Sequence, residues 1–192
     1  MKKISLALLL ILFTSLSLFA QTLQEINLTD AVTGKVINIQ SQVKGNGLVL
    51  VFHSVACPFA KMYEARMIAL RSKYQNQGFT FILVNPEVSG NDADKTVLRS
   101  YIDDSGMKMP YLIDENQVLS KHFKITKIPE VILITPGSEG TIISYRGALD
   151  NNPQAESAVS EKYLDRAMDS ILKRESPLPS QVRAVGCNVR TF

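Results

Sequence analysis

Leu48 to Phe52 is an unbroken apolar run entered through Gly45-Asn46-Gly47, and Phe79 to Val84 is a second, closed by Asn85-Pro86. Short runs without polar alternation predict strands buried on both faces. Between them apolar residues return at helical spacing: Phe59, Met62, Tyr63, Met67, Leu70 and Tyr74, with Lys61, Glu64, Arg66, Arg71 and Lys73 on the other faces. That spacing predicts one amphipathic helix from Phe59 onward, its Met and aromatic stripe turned to the core. A further helix places Val97, Leu98, Tyr101 and Ile102 on one face, capped near Asp92 and ended by Gly106.

Tyr111-Leu112-Ile113-Asp114 reads as a short extended piece, and Val118, Leu119 and Phe123 as a brief helix. Val131 to Thr135 and Thr141 to Tyr145 predict a hairpin around Pro136-Gly137-Ser138-Glu139-Gly140. A last helix carries Val159, Tyr163, Leu164, Ala167, Met168, Ile171 and Leu172, and an extra hairpin is expected within residues 21–44. Strand–helix–strand alternation implies a parallel pair with a crossover helix, to which the late hairpin adds antiparallel strands. The class is α/β: a thioredoxin-like plan, a central mixed sheet flanked by helices with an N-terminal hairpin extension.

Residues 1–20 read as a cleaved signal peptide: Met1-Lys2-Lys3, an apolar stretch from Ile4 to Phe19, and the small-residue end Leu18-Phe19-Ala20. The stretch is shorter than the roughly 20 apolar residues that span a bilayer. Export to a bacterial periplasm is the expectation, and on that view Asn27-Leu28-Thr29 is a chance sequon. Residues 21–175 are assigned to the domain and 176–192, with Pro177 and Pro179, to an extended tail. Without Lys2 and Lys3, 19 basic residues stand against 18 acidic ones. No basic run or aromatic-basic interleaving points to nucleic acid.

Chemistry concentrates at Cys57. It ends an apolar strand and precedes Pro58, which starts a helix at little cost because its missing N–H is unpaired there anyway. The free amides and dipole of a helix N-terminus favour the thiolate. The chain holds one other cysteine, Cys187, so a single intramolecular pairing exists. Whether such a bridge is a staple or a switch stays open at this level.

Cys57-Pro58-Phe59-Ala60-Lys61, Pro110-Tyr111-Leu112-Ile113-Asp114-Glu115-Asn116-Gln117, Ile128-Pro129-Glu130, Tyr145-Arg146-Gly147 leading to Asp150, and Gly186-Cys187 together carry a family resemblance. The chain resembles the thioredoxin/peroxiredoxin superfamily, nearest its peroxiredoxin-like branch of the alkyl hydroperoxide reductase and thiol-specific antioxidant (redoxin) group. The resemblance implies a cis-proline at Pro129 beside the reactive sulfur, with the backbone of Ile128 open to an extended substrate chain. Relatives often dimerise, which makes a homodimer a candidate. Departures are equally informative. Ala60 stands where a dithiol thioredoxin has its second cysteine, and Val51 where it has a buried Asp. Leu50 and Ser54 occupy the peroxiredoxin Pro and Thr/Ser positions, half a match.

Ser54 either donates to the Cys57 thiolate or a peroxide oxygen, or caps its own loop. Arg146 is a supporting cation or a solvated edge arginine, His53 a core or interface histidine, His122 a solvated one, and Glu130 faces site or solvent. Three functions follow. In the first, Cys57 attacks a peroxide or a protein disulfide, Cys187 resolves the product, and a reductant protein or small thiol closes the cycle without a cofactor. The second is a non-catalytic protein with a structural Cys57–Cys187 bridge. The third binds copper or zinc through His53, Cys57, Cys187 and His122, although the spacing fits no compact metal motif.

Overall fold

The computed structural model describes residues 22–190. The expected signal peptide and its cleavage before Gln21 lie outside the described residues. Among the described residues, no helix is long and apolar enough to cross a membrane.

The two apolar runs are the middle of the sheet. β1 (Asn27–Asp30) and β2 (Val36–Asn38) form the N-terminal hairpin, β3 is Gly47–Phe52, β4 Phe79–Asn85 and β5 Tyr111–Ile113. β7 (Glu130–Gly137) and β8 (Gly140–Gly147) form the late hairpin, and the seven strands run in the order β2-β1-β5-β4-β3-β7-β8. β3, β4 and β5 are parallel, whereas β7 runs antiparallel to β3 and β1 to β5. Every residue of β3 is buried. Alternate residues feed different cores: Val49 and Val51 enter one, while Leu48, Leu50 and Phe52 enter the other. An apolar run without alternation is therefore what this strand requires.

Helices cover both faces. Tyr63, Met67 and Tyr74 from the helical segment after β3, Leu98 and Ile102 from α3 (Asp92–Ser105), and Leu164, Ala167 and Met168 from α5 (Tyr163–Leu172) close the first core. Leu119 of α4 (Val118–His122), Phe123, and Ile26, Leu28 and Ile39 close the second. The side chain of Asn91 caps α3 by accepting from the Asp94 amide at 2.8 Å, and Gly106 ends it in the left-handed region. The cap thus lies one residue before Asp92.

Several sequence expectations change. The helix from Phe59 is broken at Tyr63 into α1 (Pro58–Met62) and α2 (Glu64–Tyr74). Met62 therefore leaves the core stripe and is half exposed, and Val97 is likewise exposed on α3. Arg66, expected on a solvated face, is buried: it binds Asp150 at 2.6 Å and three backbone carbonyls, and stacks over the Tyr63 ring. The late hairpin is longer than expected, with strands running through Pro136 and Gly137 to a turn at Ser138-Glu139. Val159 lies before α5, at the end of a short 3₁₀ turn.

The chain after α5 turns at Lys173-Arg174 and carries no further helix among the described residues. It crosses the end of β8, where the Arg146 amide donates to Ser180 O and the Val182 amide to Arg146 O, both at 3.0 Å. A Cβ on Gly147 would strike the Val182 backbone, so this crossing needs glycine. Beyond it β9 (Cys187–Asn188) pairs antiparallel with β6 (Lys127–Ile128) in a separate two-stranded ladder.

Candidate redox site

β3 delivers the chain to the site and a tight turn reverses it: the Cys57 amide donates to Ser54 O at 3.1 Å. Cys57 then stands at the N-cap of α1 with Pro58 in the first turn. Because α1 ends after five residues, the dipole facing Cys57 is that of one short helix, less than the continuous helix read from the sequence.

Cys57 and Cys187 are joined by a disulfide. Cys57 is 3 % exposed and its Sγ lies 3.3 Å from the Ile128 carbonyl oxygen. The Ile128-Pro129 bond is cis, and so is Leu178-Pro179, which the sequence reading did not anticipate. Ala60 and Ile128, with Phe59 and Val189, form an apolar collar around the sulfurs. Ile128 is paired in register with Cys187, so the edge expected to receive a substrate strand holds the chain's own tail.

The tail is fastened by polar contacts at and beyond the Asn188 end of this ladder. The Val189 amide donates to Thr126 O at 3.1 Å, and Lys127 Nζ donates to Asn188 Oδ1 at 2.6 Å. Gln117 Nε2 donates to Arg190 O at 2.6 Å. The Glu87 carboxylate accepts from the Arg190 amide at 3.0 Å and from its guanidinium at 3.1 Å. Burial alone would raise the Glu87 carboxyl, but hydrogen bonds from the Arg190 guanidinium, the Ser54 hydroxyl and the Arg190 amide outweigh it and hold the pKa below the usual range.

The remaining sequence candidates have definite partners. The Ser54 oxygen accepts from the Ala56 amide at 3.3 Å and its hydroxyl serves Glu87, so it is tied into the loop and the tail clasp. Arg146 donates to Glu130 Oε1 at 2.7 Å and to Phe123 O at 3.1 Å, placing this pair beneath the tail crossing. Glu130 is buried in that contact. The metal set of His53, His122 and the two cysteines is not assembled here: both sulfurs are in the bridge, and among the described residues no group of three or more His, Cys, Asp or Glu could hold a metal ion.

His53 is part of a chain of hydrogen bonds that sequence reasoning missed. Tyr101 OH donates to Glu64 Oε1 at 2.7 Å, which uses its one proton. His53 Nε2, 3.0 Å away, must then be the N–H that donates to Tyr101. Nδ1 is thus bare and accepts from Tyr111 OH at 2.6 Å, and Asn85 Nδ2 donates to Tyr111 at 3.1 Å. Full burial pushes the imidazole pKa down to about 3, so the ring is neutral at ordinary pH. Only the apolar run before Cys57 hinted that this histidine sits inside; the four partners are spread over four elements and no spacing links them.

The sequence profile of the AhpC/TSA family matches residues 19–144. No curated protein sequence matches the chain. Among solved structures it is similar to an uncharacterised conserved protein from Geobacillus kaustophilus, at 22 % identity and TM-score 0.77, over 87 % of this chain and 88 % of that one. A hypothetical protein from Sinorhizobium meliloti follows at 24 % identity and TM-score 0.72, over 85 % and 89 %. A secreted Mycobacterium tuberculosis disulfide oxidoreductase homologous to E. coli DsbE matches at 17 % identity and TM-score 0.50, over 63 % and 84 %. These likenesses establish a thioredoxin-like fold.

Proposed function

The chain belongs to the AhpC/TSA family, and on that premise we propose that it is an exported thiol–disulfide oxidoreductase with Cys57 as nucleophile and Cys187 as resolving thiol. The observation that carries this reading is the Cys57–Cys187 disulfide seated between a strand-to-helix turn and the Ile128 edge, with its second half on a thin, separately fastened strand.

The cycle is an exchange of sulfur partners. A substrate thiolate attacks Cys57 Sγ, the Cys57–Cys187 bond breaks, and Cys187 leaves as a thiolate that takes up a proton. A second substrate thiolate then attacks the substrate sulfur of the mixed disulfide, and Cys57 leaves reduced while the substrate is oxidised. Run backwards, the same steps reduce a substrate disulfide. Disulfide exchange is favoured over peroxide reduction by the polar groups near the sulfur. Ser54 is tied to Glu87 and the Ala56 amide, and Arg146 to Glu130, while the collar around the bridge is apolar. A peroxide needs donors for its oxygens; a cysteine-bearing strand needs a backbone edge. Export rests on residues 1–20, and partners of the exchange are an extracytoplasmic thiol protein or small thiol.

Redox titration against glutathione or thioredoxin buffers, followed by peptide mapping, tests the assignment. The expected result is a Cys57–Cys187 couple that is reduced and re-formed in these buffers. A couple that stays oxidised below about −300 mV is a staple. N-terminal sequencing of the mature protein is expected to begin at Gln21, and an intact Met1 in a membrane fraction would overturn export.

A further inference from the structure

The docked tail shows which contacts the Ile128 edge makes with a cysteine-bearing segment. Five consecutive residues, Gly186-Cys187-Asn188-Val189-Arg190, run past the Ile128 edge with Cys187–Asn188 paired to it, and the contacts they make are of two kinds. Those through the backbone accept any sequence: the ladder with Lys127 and Ile128, the Val189 amide to Thr126 O, and Gln117 to Arg190 O. Others depend on the residue. A Cβ at Gly186 would overlap the Ile128 carbonyl and press on the Pro129 nitrogen, both rigid backbone, so only glycine fits directly before the cysteine. Three residues after the cysteine, Arg190 meets Glu87, whose side chain is 5 % exposed while the arginine is 60 % exposed. The acid is thus part of the wall of the groove and the base reaches in from outside.

We infer that this groove selects an extended partner polypeptide of the pattern Gly-Cys-x-x-Arg, with Glu87 as the residue that reads the cation. The inference rests on the thiol-exchange reading above and adds the identity of the partner's cysteine segment. The native tail occupies the groove in the oxidised protein. When a partner thiolate takes the place of Cys187 on Cys57, the partner's strand takes the place of β9, and the groove tests it for glycine on one side of the cysteine and a cation on the other. The tail then serves as a built-in competitor: any partner must outbind a segment of the same chemistry held on the same chain.

Full-length Cys187→Ser protein, reduced, tests this with blocked pentapeptides whose cysteine carries a thionitrobenzoate disulfide. The Cys57 thiolate attacks the peptide sulfur, a Cys57–peptide disulfide forms, and the electron pair of the broken bond leaves on coloured thionitrobenzoate. Four peptides are compared: Gly-Cys-Asn-Val-Arg, the same with glutamate for arginine, the same with alanine for glycine, and Gly-Cys-Asn-Arg-Val, which keeps the net charge but moves the cation. The first is expected to react about fivefold faster than the glutamate and shifted-arginine peptides and about tenfold faster than the alanine peptide. Glu87→Gln is expected to bring the arginine and glutamate peptides to equal rates while leaving the alanine penalty in place. Because each result is a ratio within one protein, a looser tail in the variant does not move it. Equal rates for all four peptides in the parent, with dithiobis(nitrobenzoate) still reacting at Cys57, would overturn the recognition while leaving thiol exchange standing. If Cys57 reacts with no peptide and not with that small reagent, the exchange reading falls and the recognition with it.

Discussion

The two halves of the disulfide are held in opposite ways. Cys57 stands one tight turn beyond β3, a strand hydrogen-bonded on both sides to β4 and β7 and buried along its whole length. Cys187 sits on a two-residue strand whose neighbours are an edge of equal length, a glutamate, a glutamine and a lysine. One sulfur is set by the core of the molecule, the other by a few surface contacts. The difference supports the division of roles proposed above: the fixed sulfur meets partners, and the weakly held one leaves and returns.

The largest test of this contrast is removal of the bridge. Cys187→Ser opens a link between residues 130 positions apart, and the chain-entropy estimate is a loss of about 5 kcal/mol in denaturant unfolding relative to the oxidised parent. Against the reduced parent the difference is expected to vanish. On the fixed side, Leu50→Ala should cost about 2–5 kcal/mol by leaving a cavity in the second core, whatever the redox state.

A third test uses acid. The His53 imidazole titrates in the unfolded chain near 6.5 but in the folded one only near 3, so between these values the unfolded state binds the extra proton. Stability therefore falls as pH drops through this window, by about 2 kcal/mol at pH about 5. Thermal unfolding across the window checks it, and His53→Gln should remove this component of the slope. The smallest effect belongs to the tail. Arg190→Ala should change global stability by under about 1 kcal/mol, since its guanidinium is largely exposed. It should nevertheless speed hydrogen exchange at the Val189 amide, and equal exchange rates would show that Glu87 does not hold the tail.

Much of the fold was legible because its strands are fully buried. Continuous apolar runs such as β3 and β4 leave little choice about their place, and Gly106 and the region of Asp92 marked the ends of α3. The break at Tyr63 was not legible: the same apolar spacing suits one helix or two, and what divides them is the buried Arg66–Asp150 contact with Tyr63 OH, 2.9 Å from Asp150 Oδ1. Of the candidate site, the Cys57–Cys187 pairing was readable because the chain has two cysteines, and the cis bond before Pro129 was implied by the family resemblance. Glu87 and Gln117 were not, for their part depends on a tail arriving from 103 and 73 residues away, and a single sequence carries no mark of such a meeting.

The crossing at the end of β8 sets the length of the leash. Ser180 and Val182 are pinned to Arg146, and Gly147 admits the Val182 backbone at close quarters. From Val182 to Cys187 an extended chain reaches only about 17 Å. A released Cys187 therefore searches a small volume around Cys57, at an effective concentration of roughly millimolar or more. On the proposed exchange reading, an outside thiol at lower concentration would compete poorly with it, and exchange would be reserved for partners that bring their own affinity for the groove.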